Sequence, residues 1–200
     1  SPTDTGLLFV GDYINRGPGS REVIELMMRL DMGNDRTIFL MGNHEETMLS
    51  AADGNRRAAL LFHKMGGRET LLSYGISTQD YDKADSESIV DMIRTAIPAD
   101  HIQWMRNLRR YHEVGDYLFV HAGIRPGVPL NSQLSSDLRW IRTEFLESSA
   151  NHGMMIIHGH SVSEHVDERP NRIGIDTGAY ATGKLTAIGL EGTERWFLQT

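Results

Sequence analysis

The sequence predicts a mixed α/β fold, and three observations carry that expectation. Short apolar runs at residues 7–10 and 37–41 each end at a glycine, Gly11 and Gly42. Between them, Val23, Ile24, Met27 and Leu30 recur at helical spacing, the mark of an amphipathic helix. Beyond residue 110 the pattern turns to short strands, with Gly115-Asp116 as a hairpin signal.

The first run, 7–10, reads as a buried strand, because apolar residues without alternation suit a strand covered on both faces. Residues 21–30 follow as a helix, 37–41 as a second strand and 45–52 as a second helix. Strand, loop, helix, repeated, is the pattern of an α/β sheet. The stretch 57–108 is mostly helical, interrupted at Gly66-Gly67 and Gly75, with Pro98 ahead of a last helix carrying Ile102, Met105 and Leu108. It reads as a helical insertion within one domain spanning 1–200. Residues 80–87 are polar and acidic, so they are expected in a loop. Strands are expected at 111–114, 117–120, 154–157, 173–175, 185–190 and 195–198. Together they predict two packed mixed sheets flanked by helices.

Composition narrows the function. The chain has 200 residues, no cysteine, and a formal charge of −7 without a Lys/Arg tract. Thiolate chemistry is excluded, and binding to nucleic acid or an anionic membrane is not expected. No apolar run approaches the roughly 18 residues a spanning helix needs. Residues 1–6 carry no basic region or hydrophobic signal core, so a cytoplasmic location is the expectation. Nine histidines prompt a search for metal ligands.

Four polar clusters follow four apolar runs: Gly11-Asp12 with Arg16-Gly17, Gly42-Asn43-His44-Glu45, His121-Ala122-Gly123, and His158-Gly159-His160. A lone Gly-Asp or Gly-Asn is a turn signal. Four such clusters at strand ends, where the loops of an α/β sheet converge, read instead as one site. Carboxylate, amide and imidazole donors together suit Mn²⁺, Fe or Zn²⁺. His158, two residues before His160, reads as packing or support, with a ligand role as the minority reading. Trp104 and the methionines read as core.

Residues 11–17, Gly-Asp-Tyr-Ile-Asn-Arg-Gly, with Gly42-Asn43-His44-Glu45, residues 119–123, and Gly159-His160-Ser161, resemble the ordered signatures of the metal-dependent phosphoprotein phosphatases. That family belongs to the calcineurin-like metallophosphoesterase superfamily. The tail from Ile175-Asp176-Thr177-Gly178 to Leu190 is similar to the small bacterial and phage-lambda type enzymes. The resemblance implies an αββα sandwich and one or two divalent ions, Mn²⁺ before Fe or Zn²⁺, held by Asp12, Asn43, His121 and His160. It implies that Arg16, Asn43 and Arg142 bind the substrate phosphate, and that His44 protonates the leaving group. It further implies that a bound metal would activate the water that attacks phosphorus. Asp12, Asn15, Arg16 and His44 are then the catalytic set.

Two departures stand out. The family opens with a strand and an Asp-x-His motif, yet only ten residues precede Gly11, and Asp4 sits too early to substitute. A sheet edge beside residues 7–10 is therefore expected to lie open. Three accounts stand: a segment of a longer protein, a short protein with a reduced metal set, or an edge filled by a second copy of the chain. The other departure is Asn15, where many relatives carry aspartate. Asparagine removes the charge that favours imidazolium, so a lower pKa and a weaker acid at His44 are expected. Uncharged residues there also resemble bacterial diadenosine tetraphosphate hydrolases.

The first expectation is hydrolysis of phosphomonoesters, including those of phosphorylated proteins, by a serine/threonine or dual-specificity phosphatase. The alternatives are a dinucleoside polyphosphate hydrolase and a catalytically impaired phosphate-binding module. A nuclease is disfavoured by the charge.

Overall fold

In the computed structural model, residues 5–32 and 36–200 are described; Asp4 lies outside them. The chain resolves into two compact units, residues 1–109 and 110–200.

The first unit opens with β1 (Leu7–Phe9) and α1 (Ser20–Met32). Ile24 and Met27 form the buried stripe of α1, with Glu22 in its first turn and Arg29 in its last complementing the helix dipole. β2 (Thr37–Phe39) is buried throughout and pairs in parallel with β1, Leu7 opposite Thr37. Leu40 continues the ladder as a parallel bridge to Arg109. Among the described residues β1 has a strand partner on one side only, and Leu7 is half exposed. The open edge expected from the sequence is therefore present in this unit.

α2 (Asn43–Ala52) leads into five further helices: α3 (Arg56–Lys64), α4 (Gly67–Ser73), α5 (Thr78–Asp82), α6 (Ser86–Ala96) and α7 (Ala99–Arg106). Their starts are written in the sequence. The Asn55 side chain accepts from the Arg57 and Ala58 N–H groups, and Asp85 accepts from Ser88 N–H at 2.8 Å. The polar stretch 80–87, expected as a loop, instead supplies the end of α5 and the start of α6, because Asp85 serves as a helix cap. The core of the unit joins Ile24, Phe39, Met48, Phe62, Leu71, Ile93 and Met105. Each such side chain, fully buried, contributes roughly 1.5–3 kcal/mol. Trp104 packs edge-on against Tyr13 and Phe39, as a core residue should.

In the second unit β3 (Tyr111–Val114) and β4 (Tyr117–Val120) form the expected hairpin. After a 3-10 turn (Leu130–Ser132) come α8 (Ser135–Trp140) and α9 (Thr143–Leu146). They are followed by β5 (Met155–His158), β6 (Asp167–Glu168) and β7 (Arg172–Gly174). The order is β3-β4-β5-β7-β6, with β4, β5 and β7 parallel. Leu118, Val120, Leu138, Phe145 and Ile156 form this unit's core. α10 (Ala179–Thr182) precedes a separate antiparallel pair, β8 (Thr186–Glu191) and β9 (Glu194–Gln199). The fold is mixed α/β, as the sequence predicts; among the described residues the strands divide into three hydrogen-bonded sheets. No described helix is long and apolar enough to cross a membrane.

Candidate active site

In the first unit, the loop after β1 is held in an unusual shape. Asp12, Asn15 and Arg16 all have left-handed backbone, with φ of 61°, 77° and 64°. Such conformations cost side-chain-bearing residues of order 1–2 kcal/mol each and gather at functional sites. The stabilising partner is Glu45, which is fully buried. Its carboxylate accepts from the N–H groups of Asp12 (3.1 Å), Tyr13 (2.7 Å), Ile14 (3.3 Å) and Gly42 (2.9 Å). One side chain of α2 thus ties the two glycine-led loops together. A Cβ on Gly42 would lie 2.2 Å from Asp12 Oδ1 and 2.7 Å from Glu45 Oε2, so no other residue fits there. Burial, then the Glu45 charge, hold the Tyr13 phenol well above its ordinary pKa, and it donates to Leu40 O at 2.9 Å.

This scaffold brings the first group of expected site residues together. Asn43 and His44 open α2, both buried. The His44 N–H donates to Asp12 Oδ1 at 3.4 Å, and His44 Nε2 stands 3.8 Å from Asp12 Oδ2. On the other side of the ring, His44 Nδ1 is 2.8 Å from Asn15 Nδ2. Arg16 is exposed, and its N–H donates to Gly66 O at 3.0 Å. Gly66 sits where the chain turns from α3 into α4, with φ of 89°. A Cβ there would meet Arg16 Cγ at 2.8 Å.

In the second unit, His121 directly follows β4, and His158 closes β5. The Gly159 N–H donates to His121 O at 2.8 Å, which locks the two strand ends side by side. His160 follows with a left-handed φ of 64°. The rings of His121 and His160 meet edge to face with centroids 5.1 Å apart, and their ligand nitrogens lie within 4.8 Å. Both are buried. Arg142 is exposed at the start of α9, and its Nη1 donates to Ser161 Oγ at 3.3 Å, beside the His160 turn.

His158 does not act as a spare ligand. Its Nδ1–H donates to Gly159 O at 3.1 Å and its Nε2 faces Arg172 Nη1 at 3.3 Å, so both nitrogens are engaged. In a continuing strand, residues two apart would share a face, but β5 ends at His158 and His160 takes a left-handed turn. Desolvation pushes the His158 pKa down to about 4, which keeps the ring neutral. Arg172, buried on β7, pairs with Asp167 at 2.7 Å and donates to Leu146 O at 3.0 Å. Arg172 gives no sequence signal. Glu45 did carry one, since Glu three residues after a helix N-cap is the capping-box spacing. His101, in the first turn of α7, is buried, with its Nδ1 2.8 Å from Tyr74 Oη.

The calcineurin-like phosphoesterase family model matches residues 2–185. The chain belongs to that family. Curated relatives include a symmetrical bis(5'-nucleosyl)-tetraphosphatase of Nitrosospira multiformis. It is 29% identical over 124 residues, which are 62% of this chain and 35% of that protein. An asymmetrical bis(5'-nucleosyl)-tetraphosphatase of Anoxybacillus flavithermus is 23% identical over 206 residues, covering 94% of this chain and 76% of the relative. The matched stretch thus spans about a third of the symmetrical relative. Among solved structures, one named as a candidate diadenosine tetraphosphatase covers 97% of this chain and 80% of its own. Its TM-score is 0.67 at 19% identity, a likeness of fold.

A calcineurin-like phosphoesterase works with divalent metal. The donors present fit such an ion by their chemistry: a carboxylate and an amide in the first unit, two adjacent imidazoles in the second.

Proposed function

We propose that this chain hydrolyses phosphoanhydrides of dinucleoside polyphosphates, with diadenosine tetraphosphate as the representative substrate. The observation that carries this reading is the amide of Asn15 against Nδ1 of His44. A carboxylate there would favour the imidazolium that protonates a departing alkoxide. An amide N–H pointing at Nδ1 supports the neutral ring, with its proton on Nε2.

The leaving group decides whether that matters. A serine alkoxide approaches hydroxide in basicity, with water at pKa about 15.7. It leaves poorly without an acid that contributes about 10²- to 10⁴-fold in rate. A nucleoside phosphate leaves as a stable anion whose last pKa is about 6, so it needs no such proton. A neutral His44 therefore suits an anhydride better than a phosphoprotein. The relatives' names point the same way, to the second of the enzyme readings rather than the first.

In this reading Asp12, Asn43, His121 and His160 hold one or two divalent ions, with Mn²⁺ as the activator. Bound metal supplies Lewis-acid charge stabilisation and lowers the pKa of water. Arg16 and Arg142 grip phosphate oxygens through their planar forks, with Asn43 beside them. His44 donates a hydrogen bond from Nε2 to a phosphate oxygen.

The test compares turnover of diadenosine tetraphosphate and a phosphothreonine peptide, with Mn²⁺ and after chelation. The expected result is metal-dependent cleavage of the dinucleotide at least tenfold faster, about the 1.4 kcal/mol that defines a clear preference. Faster turnover of the peptide would overturn the reading. Binding without turnover of either would make the chain a phosphate-binding module.

A further inference from the structure

We infer that Thr70, on α4 of the helical segment, is a positioning residue that sets the proton of His44 through the amide of Asn15. This rests on the reading of His44 given above and extends it to a residue outside the signature loops.

The geometry is a closed network inside the first unit. Thr70 is fully buried, and Ser20, Asn15 and His44 are nearly so. The backbone N–H of Asn15 donates to Thr70 Oγ1 at 2.8 Å and to Ser20 Oγ at 3.1 Å. The Thr70 hydroxyl donates to Asn15 Oδ1 at 2.7 Å. Ser20 Oγ lies 3.1 Å from Thr70 Oγ1. A threonine hydroxyl has one proton to give. With that proton on Asn15 Oδ1, the hydrogen between the two hydroxyls comes from Ser20.

The consequence runs to the catalytic ring. Holding Oδ1 on the Thr70 side turns the amide Nδ2–H toward His44 Nδ1. A nitrogen that accepts is bare, so the neutral ring carries its proton on Nε2, the atom facing Asp12. Without the Thr70 hydroxyl, Asn15 Oδ1 loses the donor that holds it away from His44. A flipped amide would present Oδ1 to His44 and select the opposite tautomer. Ser73 holds α4 in register with α1 by accepting from the Arg21 N–H at 3.1 Å, so the helical segment carries the orienting group on a fixed frame.

The experiment uses long-range ¹H–¹⁵N spectra of the His44 ring in labelled protein at alkaline pH, where the ring is neutral. It compares wild type, Thr70→Val and Thr70→Ser. Wild type and T70S should show a bare Nδ1 and a protonated Nε2; T70V should show a mixture or the reverse. Should the valine variant not fold, Thr70→Cys, close in size with a poor donor, gives the same comparison. Turnover of diadenosine tetraphosphate should fall about tenfold in kcat with KM little changed in T70V, the worth of one hydrogen bond, and recover in T70S. An unchanged tautomer in T70V, or a protonated Nδ1 in wild type, would overturn the inference. The spectra need no substrate. A bare Nδ1 with no turnover of the dinucleotide would sink the substrate reading alone. Turnover with a protonated Nδ1 would sink the positioning alone.

Discussion

At the scale of single residues, the site depends on two that touch no substrate in any reading. Glu45 satisfies four backbone N–H groups of two loops, and Gly42 leaves the space its carboxylate and Asp12 occupy. Replacing Glu45 with glutamine puts an amide donor against backbone donors, each unsatisfied group costing about 1–3 kcal/mol. Glu45→Gln should therefore lower stability by about 2–4 kcal/mol, read as a thermal midpoint roughly 5–15 °C lower. Metal binding measured by calorimetry should weaken with it. Unchanged values would mean that the loops hold their shape without this carboxylate. Asn15→Asp tests the chemistry in place. The new charge beside Nδ1 favours imidazolium, so the basic limb of the pH–rate profile should move upward. Turnover of p-nitrophenyl phosphate should rise relative to diadenosine tetraphosphate. An identical profile and an unchanged ratio would count against His44 as the group whose proton decides the substrate.

At the scale of elements, one helix and one strand have identifiable anchors. Asn55 caps α3, the helix whose far end turns through Gly66 onto Arg16, and Asn55→Ala should cost about 1 kcal/mol. Denaturant unfolding would measure it, with the slope unchanged. β7 carries a heavier stake. Arg172 is buried and serves Asp167, His158 and the Leu146 carbonyl at once. Burial alone would raise the Asp167 pKa, yet its bonds to Arg172 and Arg169 hold it below the usual carboxylate value. Arg172→Ala removes the donor to His158 Nε2 and to the Leu146 carbonyl and leaves Asp167 with Arg169 alone, and should destabilise by about 3–5 kcal/mol. A loss below 1 kcal/mol would show that the network is not needed for the fold. Most of the helical stretch 56–106 was legible in the sequence, because its caps and apolar stripes are local signals; the end of α5 and the start of α6, within 80–87, were not. β6 was not, being only two residues long, too short to show an alternation pattern.

At the scale of the whole molecule, His158 gives folding a pH dependence of stated sign. Its folded pKa is depressed to about 4 by desolvation, against about 6.5 in an unfolded chain. The unfolded chain therefore binds a proton that the folded one refuses as pH falls. The contribution is complete above pH ~6.5 and declines toward pH ~4, by about 3 kcal/mol. Urea unfolding at pH 7 and at pH 4.5 should show that fall in wild type and a smaller one in His158→Gln. Equal falls would place the linkage in other groups.

The sequence by itself determined the mixed α/β class, the helical stretch, the four polar clusters and, through them, the family. These are local signals: apolar runs closed by glycine, helical spacing, and short motifs whose residue types state their chemistry. Only the tertiary structure decided which way the Asn15 amide points and why Glu45, Thr70 and Arg172 matter. Beyond its local bond to Gly42, Glu45 reaches Asp12, Tyr13 and Ile14 across 31 to 33 positions; Thr70 reaches Asn15 across 55, and Arg172 reaches His158 across 14. A pattern read along one strand of sequence carries no trace of such pairings. The physical reason is that buried polar groups must find partners wherever the fold brings them, and the fold, not the spacing, chooses.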